Sequence, residues 1–244
     1  MKRNIGQHPS EQAEEQIRFI IRSLGLKAND RIPSERELSE MCALSRNTVR
    51  SATKFLISEG TLYTDPGKGN YLSPAPVILN PLDTASLTET AEKQGKRLRN
   101  EIIKARIAFP GEWESDAPEW DVSTKVFILK RTRYLDGAKY AFETSLLNCD
   151  RCEGIAEVDF RRRSLYRVMD SYGVRPMQGM ETLQIVRAGE EEAQALDVAQ
   201  GSPLLKICGT GRDREGTVLE YYYALIIPQK VRFVCDLERK RRKR

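Results

Sequence analysis

The chain has 244 residues, of which 31% are charged, and 40 Lys and Arg against 35 Asp and Glu give a net charge of +5. No run approaches the roughly 20 apolar residues that a transmembrane helix needs, and none near the amino end is typical of a signal peptide, so we expect a cytoplasmic protein without a membrane partner. Five cysteines and one histidine, His8, leave no pattern for a disulfide framework, a His-based catalytic triad or a multi-histidine metal site, and we expect neither a metal nor a cofactor.

Two helices are predicted first. Apolar residues recur at helical spacing over residues 11–24, and a polar connector follows up to Pro33. Ser34 and Glu37 have the spacing of a capping box, which predicts the start of a second helix. Leu38 and Met41 would give this helix a single apolar stripe.

A third helix follows at once, after a turn at Ala43 and Leu44. Ser45 can cap it, and Val49, Ala52 and Leu56 recur at spacings of three and four, so they should face inward. The opposite face carries four polar side chains that can bind base edges or phosphate: Arg46, Asn47, Arg50 and Lys54. This pattern favours the recognition helix of a helix-turn-helix, with an ordinary amphipathic helix as the alternative.

Residues 60–73 predict a hairpin whose tip is Asp65-Pro66-Gly67-Lys68-Gly69. Its glycines allow a close approach to a DNA groove, and Lys68 supplies positive charge. A helix-turn-helix followed directly by such a hairpin is a winged helix.

These motifs together resemble the amino-terminal winged helix of GntR-family transcription regulators. The resemblance covers residues 10–73 and implies DNA contacts at Ser34, Arg36, Ser45, Arg46, Asn47, Thr48, Arg50, Gly67, Lys68 and Gly69. Asp65-Pro66 departs from the basic or glutamine residue that the family often has there.

The chain is expected to contain two domains joined by a linker. We place the winged helix at residues 1–73, a proline-bearing linker at 74–83, a second domain at 84–238 and a basic tail at 239–244. The tail promotes solubility or makes a nonspecific phosphate contact.

The sequence of the second domain predicts an α+β fold with an antiparallel sheet, because the predicted strands, joined by hairpins, outnumber the predicted helices. The predicted strands are 101–109, 125–134, 139–147, 180–186, 204–210, 218–227 and 231–237; the predicted helices are 86–95, 164–172 and 190–196. This order, with Ala141-Phe-Glu-Thr-Ser and Val218-Leu-Glu-Tyr-Tyr, resembles the UTRA ligand-binding domain of the HutC subfamily of GntR regulators, a fold shared with chorismate lyase.

Arg131 and Arg133 are two residues apart on one strand, so both side chains should face the same side and favour an anion. Thr88 and Ser164 stand at predicted helix starts, which bind anions, and Glu143 and Glu220 can accept hydrogen bonds from hydroxyl or amino groups. The resemblance implies effector contacts at Leu87, Thr88, Arg131, Arg133, Glu143, Ser164, Tyr166, Glu220 and Tyr222. A phosphorylated sugar or sugar-amine conjugate would suit these groups.

Several alternatives stay open for this domain. Arg131 and Glu143 could form an ordinary surface ion pair across a hairpin. Cys149-Asp-Arg-Cys152 is a weak metal or redox signal. Ile226-Ile227 stands where sugar-phosphate-binding relatives often have Tyr-Arg, which indicates a more apolar pocket wall. The domain could also be an enzyme of chorismate lyase-like fold, or a regulator domain without an effector.

We interpret the chain from these observations as a transcriptional repressor. One recognition helix and wing cover only half of a palindromic operator, so we expect a homodimer on double-stranded DNA, with the second domain as the dimer surface. Binding of a metabolite in the second domain would alter the placement of the two winged helices.

Overall fold

The computed structural model describes residues 9–80, 86–109, 120 and 124–235. The chain divides into two compact units, residues 1–76 and 77–244. Residues 81–83 of the predicted linker and the predicted tail at 239–244 lie outside the described residues. No helix in the described ranges is long and apolar enough to cross a membrane.

The first unit contains three helices and a hairpin: α1 (Pro9–Ser23), α2 (Glu35–Cys42), α3 (Arg46–Ser58), β1 (Leu62–Asp65) and β2 (Gly69–Leu72). The capping box at α2 is confirmed, because Ser34 Oγ accepts from the Glu37 amide and Glu37 accepts from the Ser34 amide. Val49, Ala52 and Leu56 are fully buried against α1, as their spacing predicts.

Two expected core residues of the first unit lie at the surface instead. Met41 is 51% exposed, and Cys42 is buried in its place. The reason is geometric: Cys42 lies four residues after Leu38 and shares its helix face more closely than Met41 does. Leu24 is 50% exposed, since it follows the last residue of α1.

The connector before α2 is hydrogen-bonded to β2 of the wing. Its backbone hydrogen bonds to β2 run from Asn29 N to Leu72 O (2.8 Å), from Leu72 N to Asp30 O (2.9 Å) and from Ile32 N to Asn70 O (3.0 Å). Arg31 pairs with Tyr71 in an antiparallel bridge. The connector is therefore held against the wing.

The second unit is built on a six-stranded antiparallel sheet, which confirms the α+β prediction. Its strands are β4 (Leu98–Ala108), β5 (Val126–Leu135), β6 (Ala138–Asn148), β7 (Gln178–Arg187), β8 (Pro203–Arg212) and β9 (Val218–Ile226), in the order β4-β5-β6-β9-β8-β7. Its helices are α4 (Leu87–Lys93), α5 (Leu165–Ser171) and α6 (Glu190–Leu196). The central strands β5 and β6 are buried along most of their length.

A small parallel pair lies beside this sheet and corrects the predicted linker. The strands β3 (Val77–Leu79) and β10 (Val231–Phe233) pair in parallel. Val77 is fully buried in the second unit. Residues 77–79 of the predicted linker thus belong to the second unit. The predicted strand 231–237 ends at Phe233, and its residues 236–237 lie outside the described ranges.

The close cysteine pair lies in the core beside α5. Cys149 and Cys152 are free, buried thiols. Burial raises the pKa of Cys149 to about 11 and also raises the pKa of Cys152. Both thiols therefore stay protonated near neutral pH, which argues against a reactive or metal-binding role.

Candidate DNA-binding surface and candidate effector pocket

A concave surface in the first unit contains most of the predicted DNA contacts. It is lined by Arg31, Ile32, Ser34, Glu35, Arg36, Arg46, Asn47, Arg50, Gly69 and Asn70. Ala43 adopts a left-handed conformation (φ 52°) that ends α2 and lets α3 begin at Arg46. Six predicted contact residues are thereby brought together: Ser34, Arg36, Arg46, Asn47, Arg50 and Gly69.

The other four predicted contacts lie outside this lining. Ser45 caps α3, and its hydroxyl oxygen accepts a hydrogen bond from the Thr48 amide (3.2 Å). Gly67 and Lys68 form the turn between β1 and β2. Lys68 Nζ lies 3.0 Å from the carboxylate of Asp65, the residue that departs from the family pattern.

Two of the four arginines that line this surface are paired with carboxylates. Arg50 Nε lies 3.2 Å from Glu35 Oε2, and Arg36 Nε lies 3.9 Å from a Glu40 oxygen. Exposed pairs of this kind contribute about 0–1 kcal/mol to stability. These arginines can therefore exchange their carboxylate partners for phosphates or bases at little cost.

A cavity of about 130 Å³ in the second unit is lined by all nine predicted effector contacts. They are Leu87, Thr88, Arg131, Arg133, Glu143, Ser164, Tyr166, Glu220 and Tyr222. The volume of the cavity is comparable to that of one that admits a benzene ring. Ile226 also lines it, in agreement with the expected apolar wall, whereas Ile227 packs in a separate apolar cluster.

Both arginines bind one carboxylate at the base of this cavity. Arg131 lies directly opposite Glu143 in the β5–β6 ladder. Its Nε donates to Glu143 Oε1 (3.0 Å), and Arg133 Nη1 donates to Glu143 Oε2 (2.6 Å). Sequence reasoning left open a surface ion pair here; the pair does form, but all three side chains are buried.

The buried cluster has a defined charge state. Burial alone would raise the pKa of Glu143, but Arg131 and Arg133 outweigh burial and lower it to about 2. Glu143 is therefore ionised, and the two guanidinium groups outnumber it. These three residues together have one excess positive charge, which is confined to the cluster, because the carboxyl groups of Glu181 and Glu220 line the same cavity.

Five polar atoms on the cavity lining are buried without a hydrogen-bond partner among the described residues. They are Arg131 Nη1, Arg133 Nε, Tyr140 OH, Ser164 Oγ and Glu220 Oε2. An unsatisfied buried polar group costs about 1–3 kcal/mol. All five belong to residues that line this cavity, so a polar ligand bound there could satisfy them.

Glu220 is a second buried carboxyl group with different chemistry. Burial raises its pKa to about 7, although hydrogen bonds with Tyr166 and Ser145 oppose that rise. Burial also raises the pKa of Tyr166. Near neutral pH Glu220 can therefore accept or donate a hydrogen bond.

The predicted start of the helix at residues 86–95 is confirmed, because Ser86 caps α4 and forms a complete capping box with Glu89. The Thr88 hydroxyl accepts a hydrogen bond from Arg133 Nη2 (2.8 Å). Ser164 is the first residue before α5, but its hydroxyl makes no capping bond.

Sequence reasoning missed several lining residues. Tyr140, Ser145 and Glu181 line the cavity, and Glu181 accepts a hydrogen bond from the Tyr222 hydroxyl. Ser145 lies two residues after Glu143 on β6, so strand alternation could have identified it. Glu181 lies on β7, and no local pattern connects it to the cavity. In the first unit, Arg31 was missed.

Comparison with known proteins decides the family. Residues 93–232 match the UTRA domain, and residues 9–72 match the bacterial regulatory proteins of the gntR family. The chain belongs to the GntR family. This GntR regulator combines a helix-turn-helix domain with a UTRA effector-binding domain, the HutC-like arrangement, and is a DNA-binding transcriptional regulator of the repressor type.

Similar proteins cover nearly the whole regulator. It is 26% identical over 229 residues to the HTH-type transcriptional repressor NagR of Bacillus subtilis (strain 168), covering 93% of this chain and 94% of that protein. It is 25% identical over 216 residues to the repressor PhnF of Mycolicibacterium smegmatis, covering 88% of each. The crystal structure of PhnF from Mycobacterium smegmatis has the same fold, with a TM-score of 0.66 at 23% identity over 92% of this chain and 100% of that chain.

Proposed function

We propose that this chain represses transcription in the cytoplasm by binding a palindromic operator as a homodimer, and that a small anionic metabolite in the UTRA pocket changes its operator affinity. The observation that carries the proposal is the convergence of five unpartnered buried polar atoms on one cavity beside a cationic cluster. Such a cavity provides a second binding site, separate from the DNA surface, as allosteric control requires.

DNA binding is proposed for the concave surface of the first unit. Arg46, Asn47 and Arg50 lie within the first turns of α3, where a recognition helix contacts base edges. Arginine pairs with guanine and asparagine with adenine through two hydrogen bonds each. Ser34 and Arg36 at the start of α2, and Gly69 of the wing, line the same surface.

Dimerisation is proposed through the second unit. In the described sheet, β7 is an edge strand, and its side chains Met180, Leu183 and Ile185 are exposed. A long, exposed edge strand with apolar side chains can pair with a strand of another chain. We expect Ile185→Asp to give monomers in sedimentation; a variant that remains dimeric would place the interface elsewhere.

The chemistry of the cavity selects the class of effector. Arg131 Nη1 and Arg133 Nε are donors for a phosphate or carboxylate, whereas Tyr140, Ser164 and Glu220 can bind hydroxyl or amino groups. One relative, 27% identical over 184 residues (74% of each chain), is named "Probable fructoselysine utilization operon transcriptional repressor". A phosphorylated sugar or sugar-amine conjugate fits this chemistry.

A thermal-shift screen with sugar phosphates, sugar amines and organic acids tests the effector class. We expect a phosphorylated or carboxylated ligand to raise the melting temperature of the wild type but not of Arg133→Gln. Arg151→Gln is the matched control, because Arg151 pairs with Asp213 and does not line the cavity. A ligand that stabilises Arg133→Gln as well as the wild type would contradict the proposed site.

We propose that the pocket binds its ligand without converting it. Glu220 is the observation that favours the enzyme alternative, because a buried carboxyl group with a pKa of about 7 suits general acid–base catalysis. Incubating the wild type with the ligand from the screen and following its concentration separates the two functions. Consumption of the ligand that is lost in Glu220→Gln would establish an enzyme.

A further inference from the structure

We propose that Arg31 is a further DNA-contacting residue of this chain and that it binds a backbone phosphate between the recognition helix and the wing. This inference rests on the proposed DNA surface of the first unit. Arg31 lines the same depression as Arg46 and Arg50 of α3 on one side and Gly69 and Asn70 of β2 on the other.

The backbone around Arg31 holds its side chain towards this depression. Hydrogen bonds from Leu72 N to Asp30 O and from Ile32 N to Asn70 O fix the chain on both sides of Arg31. Ile32 is buried in the core of the unit, and Arg31 is exposed. Since successive side chains of an extended segment point to opposite faces, Arg31 is directed outward. The backbone position of Arg31 is thus set before DNA binds, so the contact does not require a loop to be ordered.

The guanidinium group of Arg31 lies against the backbone of the wing at Gly69. A Cβ atom on Gly69 would lie 3.1 Å from Arg31 Nε and 3.3 Å from Nη2, so the arginine side chain would have to shift by a few tenths of an ångström. The φ of Gly69 is also +118°, a value that other residues rarely adopt. Because Gly69 has no side chain, the guanidinium group of Arg31 can lie against the backbone of the wing at this position.

Arg31, like Arg46, differs from Arg36 and Arg50 of the same surface in its pairing. Arg36, Arg50 and Lys68 each lie within 4 Å of a carboxylate, whereas Arg31 forms neither a hydrogen bond through its guanidinium group nor an ion pair within the described part of the chain. Its weak electrostatic effect on Glu37 is the exception: the pKa of Glu37 is lowered mainly by hydrogen bonds from Ser34, then by Arg36 and Arg31. Arg31 can bind a phosphate without first releasing a carboxylate.

The position of Arg31 favours phosphate over a base edge. Arg46 and Arg50 lie on α3, the helix proposed to read bases, whereas Arg31 lies on the extended connector, opposite Tyr71 of β2. Arg31 is therefore at the side of the proposed base-reading helix, where a backbone phosphate is the nearer contact. Phosphate contacts hold the protein in register but carry no sequence information.

The test compares Arg31→Gln with the wild type on two duplexes. One duplex is selected by the wild type from a random-sequence library, and the other is an unrelated duplex of equal length. We expect Arg31→Gln to bind both roughly three- to tenfold more weakly and to reduce the slope of log affinity against log salt by about 1. Arg31→Lys should retain the salt slope. Arg22→Gln removes an exposed charge from α1, outside this surface, and should change neither quantity.

The possible results separate this inference from the proposed function. An unchanged affinity and salt slope in Arg31→Gln, while Arg46→Ala loses affinity, would overturn the Arg31 contact and leave the DNA surface intact. A loss confined to the selected duplex would also overturn it, since that result indicates base reading. If neither Arg31→Gln nor Arg46→Ala weakens binding, the proposed DNA surface itself is wrong. Melting curves of the variants establish that each one is folded.

Discussion

The two arginine clusters of this chain differ in how far their side chains are exposed to solvent. On the first unit, the Arg50 side chain is 61% exposed and pairs with Glu35 at the surface. In the second unit, the Arg131 and Arg133 side chains are 4% and 3% exposed and share Glu143. Water screens the first cluster, so its partners can be exchanged for a polyanion. The second cluster is buried away from water and depends on Glu143 as its counterion. We therefore propose that it is selective for a small anion, and we expect substitutions in it to destabilise the fold.

Removing the carboxylate of Glu143, the counterion that both buried arginines share, should give the largest loss of stability. We expect Glu143→Gln to destabilise the second unit by about 3–5 kcal/mol, because two buried guanidinium groups lose their only carboxylate partner in the described cluster. Urea unfolding measures the change. The matched control is Glu191→Gln, which breaks the exposed pair with Lys130 and should cost no more than about 1 kcal/mol. Equal effects of the two substitutions would mean that the buried cluster is hydrated.

Glu220 should make the second unit less stable as pH rises. Its pKa moves from an ordinary value of 4.5 to about 7 in the folded protein, so the folded state binds the proton more tightly than the unfolded state does. At 1.36 kcal/mol per pKa unit, stability falls by about 3 kcal/mol from pH 4.5 to pH 7 and then levels off. Glu143, with a pKa of about 2, loses its contribution only below pH 4.5. Glu220→Gln should abolish the fall in urea titrations across this range; an unaltered fall would assign it to another group.

Substitutions in the exposed cluster should affect DNA rather than stability. We expect Arg46→Ala and Arg50→Ala each to weaken operator binding by about 1–3 kcal/mol if they read bases, with melting temperatures close to that of the wild type. Lys54→Ala is the control on the same helix, because Lys54 is exposed but does not line the concave surface. Fluorescence anisotropy with a selected duplex measures the affinities. If both arginine variants bind as the wild type does, α3 is not the recognition helix.

Equivalent helix caps should give the smallest effects. Ser34 and Ser86 each form a capping box, one in each unit. Ser34→Ala and Ser86→Ala should each cost about 1 kcal/mol in their own unit. Following each unit by hydrogen exchange assigns the loss. A substitution that destabilises the other unit equally would show that the two units unfold together.

The local features of the fold could be predicted from the sequence. Val49, Ala52 and Leu56 lie on one helix face by spacing alone, and the serine caps of α2 and α4 have a characteristic spacing with glutamate. The parallel pairing of β3 with β10 could not be predicted, because it joins segments about 150 residues apart and has no local signal.

In the candidate sites, too, features that depend on tertiary packing could not be predicted from the sequence. Strand alternation placed Arg131 and Arg133 on one face, and the resemblance added Glu143, but neither indicated that all three are buried. Burial depends on which elements cover the sheet, and it decides whether the cluster is a surface ion pair or an anion site. The approach of Arg31 to Gly69 likewise follows from tertiary packing of the connector against the wing.

The central claim is that an anion in the buried cluster controls DNA binding. The most direct measurement is the dissociation constant for a selected duplex, with and without the ligand identified by the thermal-shift screen, in the wild type and in Arg133→Gln. We predict that the ligand changes the constant of the wild type by roughly 5- to 150-fold and leaves that of Arg133→Gln unchanged. A ligand that occupies the pocket of the wild type without changing its affinity for DNA would contradict the account.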